Sequence, residues 1–193
     1  MRYFIEFAYK GTNYHGWQIQ PEAISVQEVL TKATNLILKN SFELVGAGRT
    51  DAGVHASQMY AHFDTEVDFN SEDAVRKINS YLPEDIAVFR IFPVSADAHT
   101  RFDATARTYE YHIHLKKNVF SKDLSWYHFR KLNIDKMNEA AKILLEYEDF
   151  ECFSKTHTDV FTFNCTITEA HWQLNNDNLV FTISANRFLR NMV

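Results

Sequence analysis

Glycine is scarce in this chain. There are five in 193 residues, where average usage of roughly 7% would give about 13. Proline, at three, and cysteine, at two, are scarcer still. Two cysteines make neither a disulfide framework nor a metal site, so Cys152 and Cys165 both read as buried thiols. No run of 18 apolar residues occurs, which excludes a helical membrane span. The opening MRYFIEFAYKG alternates like a strand and lacks the apolar stretch of a signal peptide, so the expected compartment is the cytoplasm. Basic charge is short as well. Lys and Arg total 20 against 25 for Asp and Glu, a net charge of −5. That excludes a protein that is basic all over but permits a local basic cleft, because binding is local.

What is present is ordinary globular material, 46% apolar and 23% charged, long enough to bury a real core. Tyr3 to Tyr9 alternates as a strand. Lys10 to Ile24 reads as a long polar loop. Ser25 and Glu28 form a capping box for a helix that puts Val26, Val29, Leu30, Ala33, Leu36 and Ile37 on one face and stops near Asn40. Short strands are expected at Glu43 to Val45, Ser57 to Phe63 and Ile86 to Phe92, with a helix capped by Ser71 between the last two. The second half repeats this order. Arg107 to Leu115 is a strand, Asn133 to Glu146 a helix, and Thr162 to Leu174 and Leu179 to Ala185 a hairpin around Asn175–Asn178. A further helix is expected from about Asn186. The pattern predicts an α+β protein of two lobes with antiparallel sheets, one over residues 1–97 and one over 98–193.

Three of the five glycines fall within eight residues, in Gly46-Ala47-Gly48-Arg49-Thr50-Asp51-Ala52-Gly53-Val54-His55-Ala56. The segment is no phosphate-binding P-loop, because no lysine followed by Ser or Thr comes after its last glycine. It is no dinucleotide fingerprint either, because a strand follows where a helix should start. Small residues instead flank one carboxylate and one guanidinium. On an extended segment, Arg49 and Asp51 at i and i+2 face the same way. A tight turn with a surface ion pair is the bland alternative. His55 either contacts a ligand or caps the loop. His112 and His114 share a strand face without a third ligand, so no metal site is expected.

GAGRTDAGVHA resembles the signature of the tRNA pseudouridine synthase A family. The resemblance extends to Gly11-Thr12-Asn13-Tyr14-His15-Gly16-Trp17-Gln18-Ile19-Gln20-Pro21 and Ser25-Val26-Gln27. It continues through Phe102-Asp103-Ala104-Thr105-Ala106-Arg107-Thr108-Tyr109-Glu110-Tyr111 and Phe188-Leu189-Arg190-Asn191-Met192-Val193. These blocks occur in order across the whole chain. The resemblance implies the pseudouridine synthase fold, two ferredoxin-like lobes flanking a cleft. It also implies isomerisation of uridine to pseudouridine in the anticodon stem–loop of tRNA, at positions 38–40. No cofactor is expected, and a homodimer is. The last block looks cut short, so a longer native protein is expected. A non-catalytic tRNA-binding fragment is the alternative reading.

By the same resemblance, Asp51 is the catalytic carboxylate, expected to be buried near C1′ and C6 of the uridine. Whether it attacks C1′, adds at C6 or stabilises a glycal or oxocarbenium species stays open. Arg190 is its basic partner, and a cation about 4 Å away contributes on the order of 4 kcal/mol at an effective dielectric near 20. Arg49 fills the space left by the extruded uridine. Extrusion costs a few kcal/mol, and the ring of Tyr109 against the flipped uracil offsets roughly 1–3 kcal/mol of it. Arg101, Arg107, Arg187 and His55 are expected to bind substrate; Arg76, Lys77, Lys116 and Lys117 could also meet backbone phosphates, although each alone reads first as a solvated charge. A small-molecule hydrolase using Asp51 lacks a second carboxylate at a readable position.

Overall fold

The computed structural model describes residues 1–155 and 161–193. They form two compact units, Met1–Ala104 and Thr105–Val193.

The first unit runs β1 (Arg2–Tyr9), α1 (Val26–Leu38), β2 (Val45–Gly46), β3 (Ala56–Asp64), α2 (Ser71–Tyr81) and β4 (Ile86–Val94). The sheet order is β2-β3-β1-β4 and every pair is antiparallel. This is the ferredoxin-like arrangement that the βαββαβ order of the sequence implies. Ile5, Phe7 and Tyr9 of β1 alternate into a core shared with Met59, Ala61 and Phe63 of β3. In β4 the buried set changes phase, from Ile86 and Val88 to Ile91. The register explains it: Glu6 pairs with Arg90 but Phe7 with Val88, so Phe89 is the extra residue of a bulge. Pro93 is accommodated because β4 lies at the sheet's edge.

Helix α1 starts as expected, with the Ser25 hydroxyl accepting from the Glu28 backbone N–H at 3.3 Å. The box is only half made, because the Glu28 carboxylate turns outward to Lys32 instead. The buried face is Val26, Gln27, Leu30, Ala33, Thr34 and Leu38, while Leu36 is exposed. Gln27 is buried because its amide joins three segments. It donates to Leu44 O at 2.7 Å and accepts from Ile19 N–H at 2.9 Å, while its own backbone N–H donates to Trp17 O. For α2 the cap is Asn70 rather than Ser71, accepting from Asp73 N–H at 2.9 Å.

Asparagines on or beside the helices bind backbone in both directions. Asn35 holds the N–H and C=O of Phe42 at 3.1 and 2.8 Å. Asn79 holds those of Val88 in β4 at 2.8 and 2.7 Å.

On the sheet face away from that core, His62 is buried against Phe4, His99 and Thr100. Burial, then the neighbouring His99 and Arg2, hold its imidazole below the ordinary value of 6.5, with Asp64 opposing. The unfolded chain therefore takes up this proton first. The stability contributed by neutral His62 is full above pH 6.5 and is lost as pH falls through the depressed folded value. The thermal midpoint is expected to fall between pH 7.5 and 5.5, and His62→Gln is expected to flatten that fall. An unchanged slope in the variant would assign the acid sensitivity elsewhere. Asp64 and Glu6, held low by Arg2 and by Gln58 and Arg90 respectively, act only at more acidic pH.

The second unit runs β5 (Arg107–His114), β6 (Trp126–Tyr127), α3 (Ile134–Ile143), β7 (Ile167–Asn175) and β8 (Asn178–Ala185). Its sheet order is β6-β5-β8-β7. Strands β5, β8 and β7 with α3 repeat the relation of β1, β3 and β2 with α1. The expectation of purely antiparallel sheets fails in one place. Strand β6 pairs parallel to β5, with Ile113 opposite Trp126 and His114 opposite Tyr127. The chain reaches it after a connection long enough for a parallel return. The β7–β8 hairpin turns through Asn176 and Asp177, with Asn176 at φ 56°. Asn138 of α3 clamps Trp172 of β7 by the same two-way bonding, at 2.8 and 3.0 Å.

Cys165 is buried in this unit's core and burial raises its thiol pKa. Cys152 is exposed, contrary to expectation, because it sits in a short 3-10 turn at the surface. Among the described residues no helix is long and apolar enough to cross a membrane.

Candidate active site

The segment after β1 is not the polar loop that its composition suggests. Tyr14 is 5% exposed and Trp17 is 3% exposed. The Trp17 ring stacks on Phe7 with centroids 5.2 Å apart. The Tyr14 hydroxyl donates to Asp85 Oδ1 at 2.6 Å, and burial together with that carboxylate pushes the phenol above its ordinary range. Two aromatics inside a polar stretch are the available signal, and hydropathy averaging hides it.

This first loop forms the bed on which the glycine-rich segment lies. Trp17 N–H donates to Thr50 Oγ1 at 3.0 Å, and the Tyr9 hydroxyl is 2.9 Å from the same oxygen. Gly53 N–H donates to Tyr14 O at 3.2 Å. Gly11 N–H donates to His55 Nδ1 at 2.9 Å, so that nitrogen of His55 caps the loop. Gly16 has φ +82°, and a Cβ there would lie 2.1 Å from Thr50 O. Loop-to-loop contact of backbone on backbone thus requires glycine.

Asp51 stands among these anchors. Val54 N–H bonds to Asp51 O at 3.2 Å, closing a four-residue turn with Gly53 at φ +80° in its third position, as a type II turn requires. The expectation of a buried carboxylate is not met. Asp51 is exposed, because the first loop packs against the backbone on either side of it and leaves the side chain outside. Within residues 1–104 its carboxylate is bonded to no other side chain. Arg49, two residues earlier, is also exposed. A fixed main chain under an exposed acid is an arrangement that can present a carboxylate to a bound molecule.

The block Phe102–Tyr111 straddles the two units. The residues just before it are tied to the strand that leads into the signature segment. The Thr100 hydroxyl donates to Val45 O at 2.9 Å, immediately before Gly46. Arg101 N–H donates to His99 Nδ1 at 3.1 Å, and its exposed guanidinium lies 5.9 Å from the Phe102 ring. The structure therefore brings Asp51, Arg49, His55 and Arg101 into one unit.

Tyr109, Arg107, Arg187 and Arg190 belong to the other. Tyr109 meets Phe188 edge-on at 5.2 Å and packs against the second core. Arg107 Nη1 donates to Asn186 O at 2.9 Å. Two distant blocks of sequence thus converge, Arg107–Tyr109 with Asn186–Phe188. The helix expected from Asn186 is not formed. Residues 186–193 run irregularly and turn at the end, with Asn191 at φ 62°. Their backbone groups are engaged elsewhere, Asn186 N–H with Thr166 O and Arg190 O with Lys155 N–H, and Met192 N–H closes a turn on Leu189 O. Arg187 is half-buried and Arg190 exposed, and they do not share a helical face.

The other basic candidates are engaged locally. Arg76 and Lys77 both bind Asp73, at 2.5 and 2.6 Å, and Lys116 binds Asp177 at 3.0 Å. His112 contacts Glu110, while His114 is buried beside Ser125, so the two face different surroundings. Among the described residues no group of three or more metal-ligating side chains occurs.

Residues 6–103 match the sequence family described as tRNA pseudouridine synthase. Over its full length the chain is 53% identical to the tRNA pseudouridine synthase A of Bacteroides thetaiotaomicron, covering 72% of that protein. It is 54% identical to the protein of the same name from Bacteroides fragilis, covering 77%. It is 50% identical to that from Porphyromonas gingivalis, covering 78%.

Proposed function

Because the chain belongs to the tRNA pseudouridine synthase family, we propose that Asp51 is the carboxylate that drives isomerisation of a uridine in the anticodon stem–loop of tRNA. The activity class is that of an isomerase acting on tRNA. The observation that supports the choice of Asp51 is local: an exposed acid whose neighbours Thr50 and Gly53 are both bonded to a buried aromatic loop.

The reaction breaks the N1–C1′ bond of uridine and joins C5 to C1′, expelling the C5 hydrogen as a proton. It is redox-neutral, so it needs groups that stabilise charge and move a proton. A carboxylate near C1′ and C6 can do both. The target must leave its stack before these atoms are reachable. Arg49 is proposed to occupy the space it leaves, and Tyr109 to stack on the extruded base. Arg190 is proposed to keep the reacting carboxylate ionised and aimed. Arg101, Arg107, Arg187 and His55 are proposed substrate contacts. A homodimer and a cytoplasmic location complete the reading.

The test is tritium release from tRNA transcript carrying [5-3H]uridine, because isomerisation must expel the C5 hydrogen. The chain is expected to release tritium, and Arg190→Ala to lose about a hundredfold or more in turnover, the scale at which a transition-state charge contact is felt. Release by Arg190→Ala at the wild-type rate would remove that residue from the mechanism. Binding of tRNA without any release by the unmutated chain would favour a tRNA-binding fragment.

A further inference from the structure

Beyond Lys116 and Lys117, the connection between β5 and α3 plays no part in the site described above, and its charge is opposite in sign to that of the whole chain. Residues 116–131 carry five cations, Lys116, Lys117, Lys122, Arg130 and Lys131, against one acid, Asp123, a local balance of +4 in a chain of net −5. The same stretch exposes its aromatics. Phe120 is 90% exposed and Phe129 is 73% exposed, with Trp126 and Tyr127 about half exposed.

The strap is held firmly from behind. β6 within it pairs with β5, His128 N–H donates to His114 O at 3.0 Å, and the Tyr127 ring stacks on buried His114 at 5.3 Å. On its outer side aromatic and cationic groups interleave. Trp126 and His128 rings lie 4.7 Å apart, and the Arg130 guanidinium lies 5.7 Å from the Phe129 ring. Lys116 is taken by Asp177.

We infer that residues 118–131 form a second tRNA-binding surface, in which Lys122, Arg130 and Lys131 meet backbone phosphates and Phe120 and Phe129 stack on nucleotides. This rests on the reading of the chain as a tRNA-modifying enzyme. Cations neutralise phosphates, and aromatic rings bind bases without regard to sequence. A second copy of the chain is the competing occupant. An isologous contact through this strap would set two strongly positive surfaces against each other across the two-fold axis, which opposes association. A polyanion faces no such opposition.

The experiment measures binding of unmodified tRNA transcript to the full chain by filter retention at several salt concentrations. One variant combines Lys122→Gln, Arg130→Gln and Lys131→Gln. A second combines Phe120→Ala and Phe129→Ala. The charge variant is expected to bind about tenfold or more weakly at 0.1 M salt, with the slope of log affinity against log salt reduced by about 3. The aromatic variant is expected to bind more weakly with its slope unchanged. Both should keep the wild-type unfolding midpoint and turnover at saturating tRNA, raising KM alone. Wild-type affinity and slope in both variants would overturn the proposal. So would a changed sedimentation of the free protein with tRNA affinity intact, which would assign the strap to contacts between copies. If the unmutated chain binds no tRNA, the functional reading itself falls. If it binds and isomerises while the variants match it, only this surface is reassigned.

Discussion

Asp51→Asn is expected to abolish tritium release from tRNA, by on the order of a thousandfold or more, the scale on which a removed acid–base carboxylate is felt. Two features of the structure make this substitution a clean probe. Asp51 is exposed, and within its own unit the carboxylate is bonded to no other side chain. Replacing it by the isosteric amide should therefore change stability by no more than about 0.5 kcal/mol. The turn itself is closed by the Asp51 carbonyl and held through Thr50 and Gly53, all of which survive in the variant. The unfolding midpoint and tRNA affinity are expected to stay close to wild type while turnover disappears. An Asp51→Asn protein that released tritium at a near-normal rate would end the assignment. One that unfolded much earlier would show that the carboxylate had a structural role.

The second large effect is expected from a residue with no chemistry at all. A methyl group at Gly16 would lie 2.1 Å from Thr50 O and 3.2 Å from the carbonyl carbon of Asp51, on a backbone at φ +82°. The obstacle is main chain, so no side-chain rotation relieves it. Either the first loop lifts or the segment bearing Asp51 moves. A strained φ of this kind costs on the order of 1–3 kcal/mol, and a displacement of about 1 Å at the reacting group costs about a hundredfold in rate. Gly16→Ala is thus expected to lose both stability and turnover. Gly53→Ala is the control. Gly53 has a similar φ of +80°, but a methyl group there would meet no atom within 4 Å. It should show only the conformational cost, about 1–2 kcal/mol, with much smaller damage to rate. Equal turnover in the two variants would refute the idea that the first loop positions the aspartate.

Much of the scaffold is legible because its signals are local. The alternation of Tyr3 to Tyr9, the Ser25 cap and the Asn-rich turn at 175–178 all follow from short-range chemistry, and the structure shows each of them. What cannot be read depends on contacts distant in sequence. Tyr14 and Trp17 look like loop residues until Phe7 and Asp85 are placed beside them. Residues 186–193, expected as a helix, are instead tied by Asn186 and Arg190 to Thr166 and Lys155, contacts that no local pattern announces. Strand β6 is invisible because two residues carry no periodicity. The candidate site divides along the same line. The motif identifies Asp51 and Arg49, but the support beneath them, Thr50 on Trp17 and His55 on Gly11, appears only in three dimensions.

The asparagine clamps on Val88 and Trp172 have a consequence for the protein's behaviour at high concentration. β4 and β7 are the outermost strands of their sheets, and outermost strands invite pairing with neighbouring molecules. At Val88 and Trp172 both backbone groups are already occupied by Asn79 and Asn138, so each ladder is blocked midway along its open side. Deamidation of either asparagine to aspartate would remove the donor half of the clamp and free a carbonyl for intermolecular strand addition, so storage ageing should show itself as self-association before it shows as loss of fold.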